Sequence, residues 1–360
     1  MKRWLMQTVG LLYCFAVFGQ QMKPVQENVG KLQISIDPRI ELINIVQTLS
    51  TYPFIDRESS HSKKAQAYFK EAATLDAVTF TDELHKKGFG FDVPLLFMLH
   101  LSAVPELKKV FVYPDRLVEK ARGEHNLERY RVALAEFARQ SDFYTFWEQN
   151  QEFYKKTVRK TASYLETIDY VKALEEYYNE TQGGYHLVLN PVSENFNYGP
   201  KMPSSSGEFE IYGIVALDES EDGIPYLNNA DMENLLWHEF SHSFVNPLSD
   251  KYLDKVMVNE SLHEPIKKEM KTQGYGSWLT CVNEHIVRAA TIRIIAINSK
   301  LEHAQELLKE ELSKGFVYIE PLIEALKRYE MKRDSEGITF TDFYPELLSV
   351  FDQLREKGIE

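Results

Sequence analysis

Leu235-Leu236-Trp237-His238-Glu239-Phe240-Ser241-His242-Ser243-Phe244-Val245 is the stretch on which the reading of this chain turns. His238 and His242 stand four residues apart, and in a helix that spacing puts both on one face, about a turn from each other. Two imidazoles so placed reach one metal ion. The glutamate between them, Glu239, can then serve a water at that ion as general base. Apolar residues on most sides of the stretch predict a buried helix, in which histidines need partners. Upstream, Asn228-Asn229-Ala230-Asp231 offers capping residues, and Asp231 and Glu233 suit the positive end of the helix. Downstream, Asn246-Pro247 is expected to end it, because proline disfavours helix at the residue before it.

A catalytic zinc site commonly has three protein ligands and one open position. The favoured third ligand is Glu284, in Trp278-Leu279-Thr280-Cys281-Val282-Asn283-Glu284-His285-Ile286-Val287-Arg288-Ala289, which continues apolar through Ile297 and predicts a long buried helix. Glu284 shares a face with Cys281, Arg288, Ile292 and Ile295, and a carboxylate in such surroundings needs a cation. Either a zinc ion or Arg288, four residues on, could supply it. The competitor is Glu260, 18 residues after His242, but Lys255, His263, Glu264, Lys267 and Lys268 around it predict a solvated segment. Cys281 reads as a small buried hydrophobe, with a softer metal ligand as the alternative.

The set His238, Glu239, His242 and Glu284 resembles the gluzincins, zinc metallopeptidases whose ligands are two histidines of H-E-x-x-H and a glutamate from a second helix. A broader resemblance, carried by Gly88-Phe89-Gly90-Phe91-Asp92-Val93-Pro94, Asn197-Tyr198-Gly199, the stretch from His238 to Pro247 and Asn283 to Ala289, is to an exported bacterial family described only as a domain of unknown function and regarded as gluzincin-like. It implies a peptidase fold and no particular substrate. One position departs: many gluzincins carry an aspartate four residues after the ligand glutamate, where it orients a ligand histidine, and here that position is Arg288.

The chain has 360 residues, 44% hydrophobic and 12% aromatic, which is enough for one large or two smaller domains with a real core. The formal net charge of −13 repels phosphate backbones and argues against nucleic acid as a partner. Lys2-Arg3 followed by the apolar run Trp4 to Gly19 reads as a signal peptide, residues 1–19, and so predicts export to the periplasm or beyond. Tyrosine before Cys14 argues against a lipoprotein site. Without residues 1–19 the charge becomes −15, since Lys2 and Arg3 are lost, and no later segment is apolar enough for a stable membrane span; Arg288 and Arg293 interrupt 286–297. Cys281 is then the only cysteine, so no internal disulfide forms. Nothing in the pattern fixes an oligomeric state.

Along the chain, 20–30 reads as a polar linker, and alternating Leu32, Ile34 and Ile36 as a short strand. Residues 31–182 are mainly helical, with apolar periodicity over 62–75, 94–104, 116–139, 142–158 and 163–181. After Gly183-Gly184, residues 183–250 hold a small sheet (185–192 and 207–217, with a proline- and serine-rich loop between) and the H-E-x-x-H helix. Residues 251–360 form a helical subdomain with the third ligand and helices over 300–313, 319–333 and 340–357. The fold class expected is α+β, mostly helical: a zincin-like core with its small sheet beside the motif helix.

The chemistry expected is hydrolysis of a peptide or protein substrate. Zn²⁺ is held by His238, His242 and Glu284, and Glu239 is the general base. An oxyanion donor is sought among His285, Arg288 and Tyr275, with Tyr198 a more distant candidate. Two alternatives stand beside it: an exported binding protein that keeps a zincin-like core without turnover, its metal closed off by Cys281 or His285, and a zinc hydrolase of a non-peptide amide.

Overall fold

The computed structural model describes residues 21–192, 197–204, 207–218, 220, 223–225, 229–299 and 301–358, with only the backbone at 229–231. The signal peptide (1–19), Cys14 and the cap residue Asn228 lie outside the described residues. The fold is α+β and mostly helical, built around one five-stranded mixed sheet.

Two strands near the start, β1 (Val25–Val29) and β2 (Leu32–Ile36), form a hairpin. The first of these corrects the reading of 20–30 as a linker. Its sequence, Val-Gln-Glu-Asn-Val, is polar because the strand is an exposed sheet edge and needs no buried face. Nine helices follow: α1 (Pro38–Leu49), α2 (Ser60–Tyr68), α3 (Asp76–Lys86), α4 (Val93–Leu99), α5 (Asp115–Lys120), α6 (Glu124–Gln140), α7 (Phe143–Gln149), α8 (Gln151–Leu165) and α9 (Tyr170–Tyr178). Four expected helices are broken: 62–75 at Phe69, before a 3-10 turn, 163–181 over 166–169, and two more. The 116–139 segment divides at Arg122 and Gly123, whose φ values of 61° and 121° no helix accommodates. The 142–158 segment divides at Asn150, whose side chain donates to the carbonyl of Phe146.

The chain then returns to the sheet. β3 (Gly184–Asn190) pairs parallel with β2, and β5 (Phe209–Ala216) pairs parallel with β3. Their second halves, Leu187–Leu189 and Gly213–Val215, are apolar and buried, as strands covered on two faces require. Between them the loop read from its prolines and serines contains a short strand, β4 (Lys201–Pro203), antiparallel to β5 at the outer edge, so that the order is β1-β2-β3-β5-β4.

The motif helix α10 spans Asn229–Lys251 and packs on β5. It does not stop at Asn246: Pro247 lies inside it. Burial of Leu236, Trp237, Phe240, Phe244, Val245 and Leu248 holds the helix through the proline. Two short helices, α11 (Leu253–Met257) and α12 (Lys267–Thr272), lead to α13 (Trp278–Asn298). Ser277 and Thr280 form a capping box at its start, and its apolar residues are buried under α10, α14 (Leu301–Ser313) and α15 (Ile319–Glu336). The last helix, α16 (Phe340–Glu356), packs on α15. Among the described residues no helix is long and apolar enough to cross a membrane.

Candidate metal centre

Packing α13 against α10 brings His238, His242 and Glu284 to one point. Their ligand atoms all lie within 4.8 Å of one another. The two histidine Nε2 atoms are 3.2 Å apart, and Glu284 reaches His242 Nε2 at 3.4 Å and His238 Nε2 at 3.6 Å. Burial, then the charges of Arg288 and His242, holds His238 well below the usual imidazole range, so its ring is neutral and free to act as a ligand. His242 Nδ1 lies 3.2 Å from Asn246 Oδ1. With that oxygen accepting, Nδ1 is the donor and Nε2 faces the cluster. Asn246, one turn beyond His242, thus takes the orienting role that an aspartate at position 288 would have. Its i+4 spacing was the available signal.

Arg288 instead grips carboxylates. It lies 3.2 Å from Glu284 Oε2 and 2.5 Å from Glu311 Oε2, and its NH2 donates to the hydroxyl of Tyr275 at 3.2 Å. Burial opposes its charge, but Glu284 and Glu311 beside it outweigh that and raise its pKa. Tyr275 is therefore at the centre through Arg288, and burial pushes its hydroxyl up to about 12. His285 is not brought to the cluster. Its Nδ1 bonds the Cys281 carbonyl at 2.7 Å, and its ring sits against Phe316 and Tyr318, fully buried, because one step along a helix turns a side chain by about 100° from Glu284. Cys281 is buried with its thiol on the Tyr275 carbonyl, outside the metal-capable group. Glu260 is the exposed first residue of a half-buried 3-10 turn (Glu260–His263) and is likewise absent from that group.

Glu239 is buried beside the ligands without joining them, and burial pushes its carboxyl up to about 7. The sheet explains how it gets there. A Cβ on Gly199 would stand 2.5 Å from the Glu239 carbonyl oxygen and 3.2 Å from its Oε2, and one on Gly213 would stand 3.3 Å from Phe240. Tyr198 pairs with Ile214 and Lys201 with Ile211, so the same register sets Gly199 opposite Gly213. Two facing glycines let α10 lie almost on the backbone of the sheet edge. Tyr198, one residue away, points to the opposite face.

A family model described as Domain of unknown function (DUF4932) matches residues 114–350. The chain belongs to the DUF4932 family. That span takes in α5 to α9, β3 to β5, α10 and α13, hence every side chain of the centre. The chain matches no curated protein and no solved structure.

The donor set of this DUF4932 protein fits zinc: two imidazole nitrogens and one carboxylate, leaving a position open. Glu284 Oε2 is buried without a hydrogen bond and has the Arg288 guanidinium at 3.2 Å; an ion between the two histidines would give it a direct bond as well.

The environment of Glu239 gives a pH test on metal-free protein. Its pKa rises from 4.5 to about 7 on folding. The folded chain keeps a proton that the unfolded chain releases, so the associated stability is complete below the unfolded value and is lost as pH rises through about 7. In chelator, Glu239→Gln should gain on the wild type between pH 5 and 8, by about 3 kcal/mol at the upper end. Denaturant melts that run parallel across that range would mean a solvated Glu239.

Proposed function

We propose that this DUF4932 protein is a zinc-dependent hydrolase of peptide bonds with a gluzincin-like centre. The observation that carries the reading is the buried Glu239 carboxylate, set beside three convergent ligand side chains and pressed against the sheet edge. A purely structural metal would have no use for a general base there.

His238, His242 and Glu284 would hold the ion, which when bound supplies Lewis acidity toward water and a carbonyl oxygen. Glu239 takes the proton of the attacking water and returns it to the leaving amine nitrogen; a carboxyl near pH 7 suits both transfers. Arg288 and Tyr275 provide the positive field and hydroxyl nearest the ligand carboxylate, the best-placed candidates for charge developing on the carbonyl oxygen. The edge of β4 suits an extended substrate. Tyr198 bonds Ile214 through both its N–H and C=O, and Pro200 accepts from Tyr212, so by alternation Gly199 and Lys201 turn their backbone groups outward. Gly199 does so directly beside Glu239.

Elemental mass spectrometry on wild type and Glu284→Ala tests the centre. Stoichiometric zinc in the wild type and a clear loss in the variant are expected. Full retention in the variant would move the third ligand elsewhere, and wild type that takes up no zinc even when supplied would sink the hydrolase reading.

A further inference from the structure

We propose that a second pocket, formed by elements other than the metal centre, binds a short organic carboxylate through His61 and Lys64. The pocket is a cavity of about 160 Å³ at the carboxyl ends of the parallel strands β3 and β5, where Pro191 and Leu217 line it. Open parallel sheets commonly take ligands at that end.

His61, on the first turn of α2, decides the chemistry. It is 5% exposed, and its Nε2 lies 2.6 Å from Glu41 Oε1. The Tyr154 hydroxyl donates to the same oxygen at 2.9 Å. Glu41 is itself buried, its Oε2 has no hydrogen bond, and among the described residues its one ion-pair partner is His61. A carboxylate withdrawn from water needs hydrogen-bond donors, and the Tyr154 hydroxyl and the His61 ring both stand at hydrogen-bond distance from it. Phe153 stacks on the ring at 4.5 Å between centroids and fixes its plane. The ring lines the cavity, and its second nitrogen, Nδ1, has no protein partner among the described residues. An anion entering the cavity would favour the doubly protonated ring, with Nε2–H on Glu41 and Nδ1–H left for the ligand.

The surroundings select an anion. Lys64, one turn further along α2, lines the same space with its Nζ 2.7 Å from Asn150 Oδ1. The nine-residue helix α2 opens its N-terminus there, adding positive partial charge. Asp56, the acidic side chain on the wall, is occupied by the backbone N–H groups of Glu58 and Ser59. Phe153, stacked on His61, and Pro191 and Leu217 add apolar lining to the same space. A head of one negative charge with a short hydrocarbon tail matches both kinds of lining; a bare phosphate would leave the apolar part unused.

The inference does not rest on the metal centre, and its test separates the two. Isotope-labelled full-length protein is titrated with butyrate and, separately, with inorganic phosphate, and the histidine side chains are followed by long-range proton–nitrogen NMR, with His61 assigned through His61→Gln. Butyrate should shift His61 saturably and leave His238 and His242 still. Lys64→Met, a change at an exposed side chain, should weaken butyrate about tenfold, and phosphate should bind more weakly than butyrate. No His61 shift at high millimolar butyrate, a shift confined to His238 and His242, or unchanged affinity in Lys64→Met would each overturn the site. Phosphate binding as tightly as butyrate would overturn the carboxylate assignment.

Discussion

Glu239→Gln is expected to keep zinc at the wild-type level and to lower peptide hydrolysis by about 10³-fold, within the range found for removal of a positioned acid–base group. The amide has the shape of the carboxyl, so α10 keeps its seat on Gly199 and Gly213 and the three ligands keep theirs. What is lost is an atom that can accept a proton. The measurement pairs metal content with turnover of a quenched fluorescent peptide library on the same preparation. Turnover at the wild-type rate would show that Glu239 is not the base. Loss of zinc together with activity would instead assign it a role in holding the ion.

The second large effect is on stability. In His238→Ala the thermal response to zinc should vanish. With free zinc at a thousand times its dissociation constant, an ion that binds only the folded chain stabilises it by about 4 kcal/mol. Wild type should therefore melt at a distinctly higher temperature with zinc than in chelator, while the variant melts alike in both. His238 is the apt site because its neutral, half-buried ring has no competing ion pair shorter than the 3.6 Å contact to Glu284. A zinc-dependent shift that persists in the variant would remove His238 from the ligand set.

Much of this centre is legible in the chain because its parts are local. The His238–His242 spacing and the apolar course of α10 and α13 belong to single helices, whose periodicity reports burial directly. Glu284 stood out because a carboxylate in an apolar helix demands a partner, whereas Glu260 lay among charges, and it is exposed. What escaped was relational. The pairing of β2 with β3 joins Leu32 to Tyr185 across nine helices, and no local pattern announces it. Strand β1 has no buried face to leave an alternation. Pro247 looks like a stop by itself, but the packing around it overrides that preference. The separation of His285 from the cluster follows from its place one step past Glu284 on α13, while its packing against Phe316 and Tyr318 is what the chain alone leaves unread. Gly199 carries no mark of this role beyond its place in Asn197-Tyr198-Gly199, because the helix that rests on it comes forty residues later.

One last consequence concerns chain connectivity. His242 and Glu284 are separated by some forty residues that include α11, the 3-10 turn at Glu260 and α12. An ion gripped by both would close that length into a ring. Closing a flexible loop of this size in the unfolded chain costs several kcal/mol of entropy, and the cost grows only slowly with length. The short, largely exposed helices inside the ring contribute little burial of their own. Cation capture would therefore act on them as a covalent staple does, adding to the hold of the buried side chains Val256, Asn259, Leu262, His263, Ile266 and Met270.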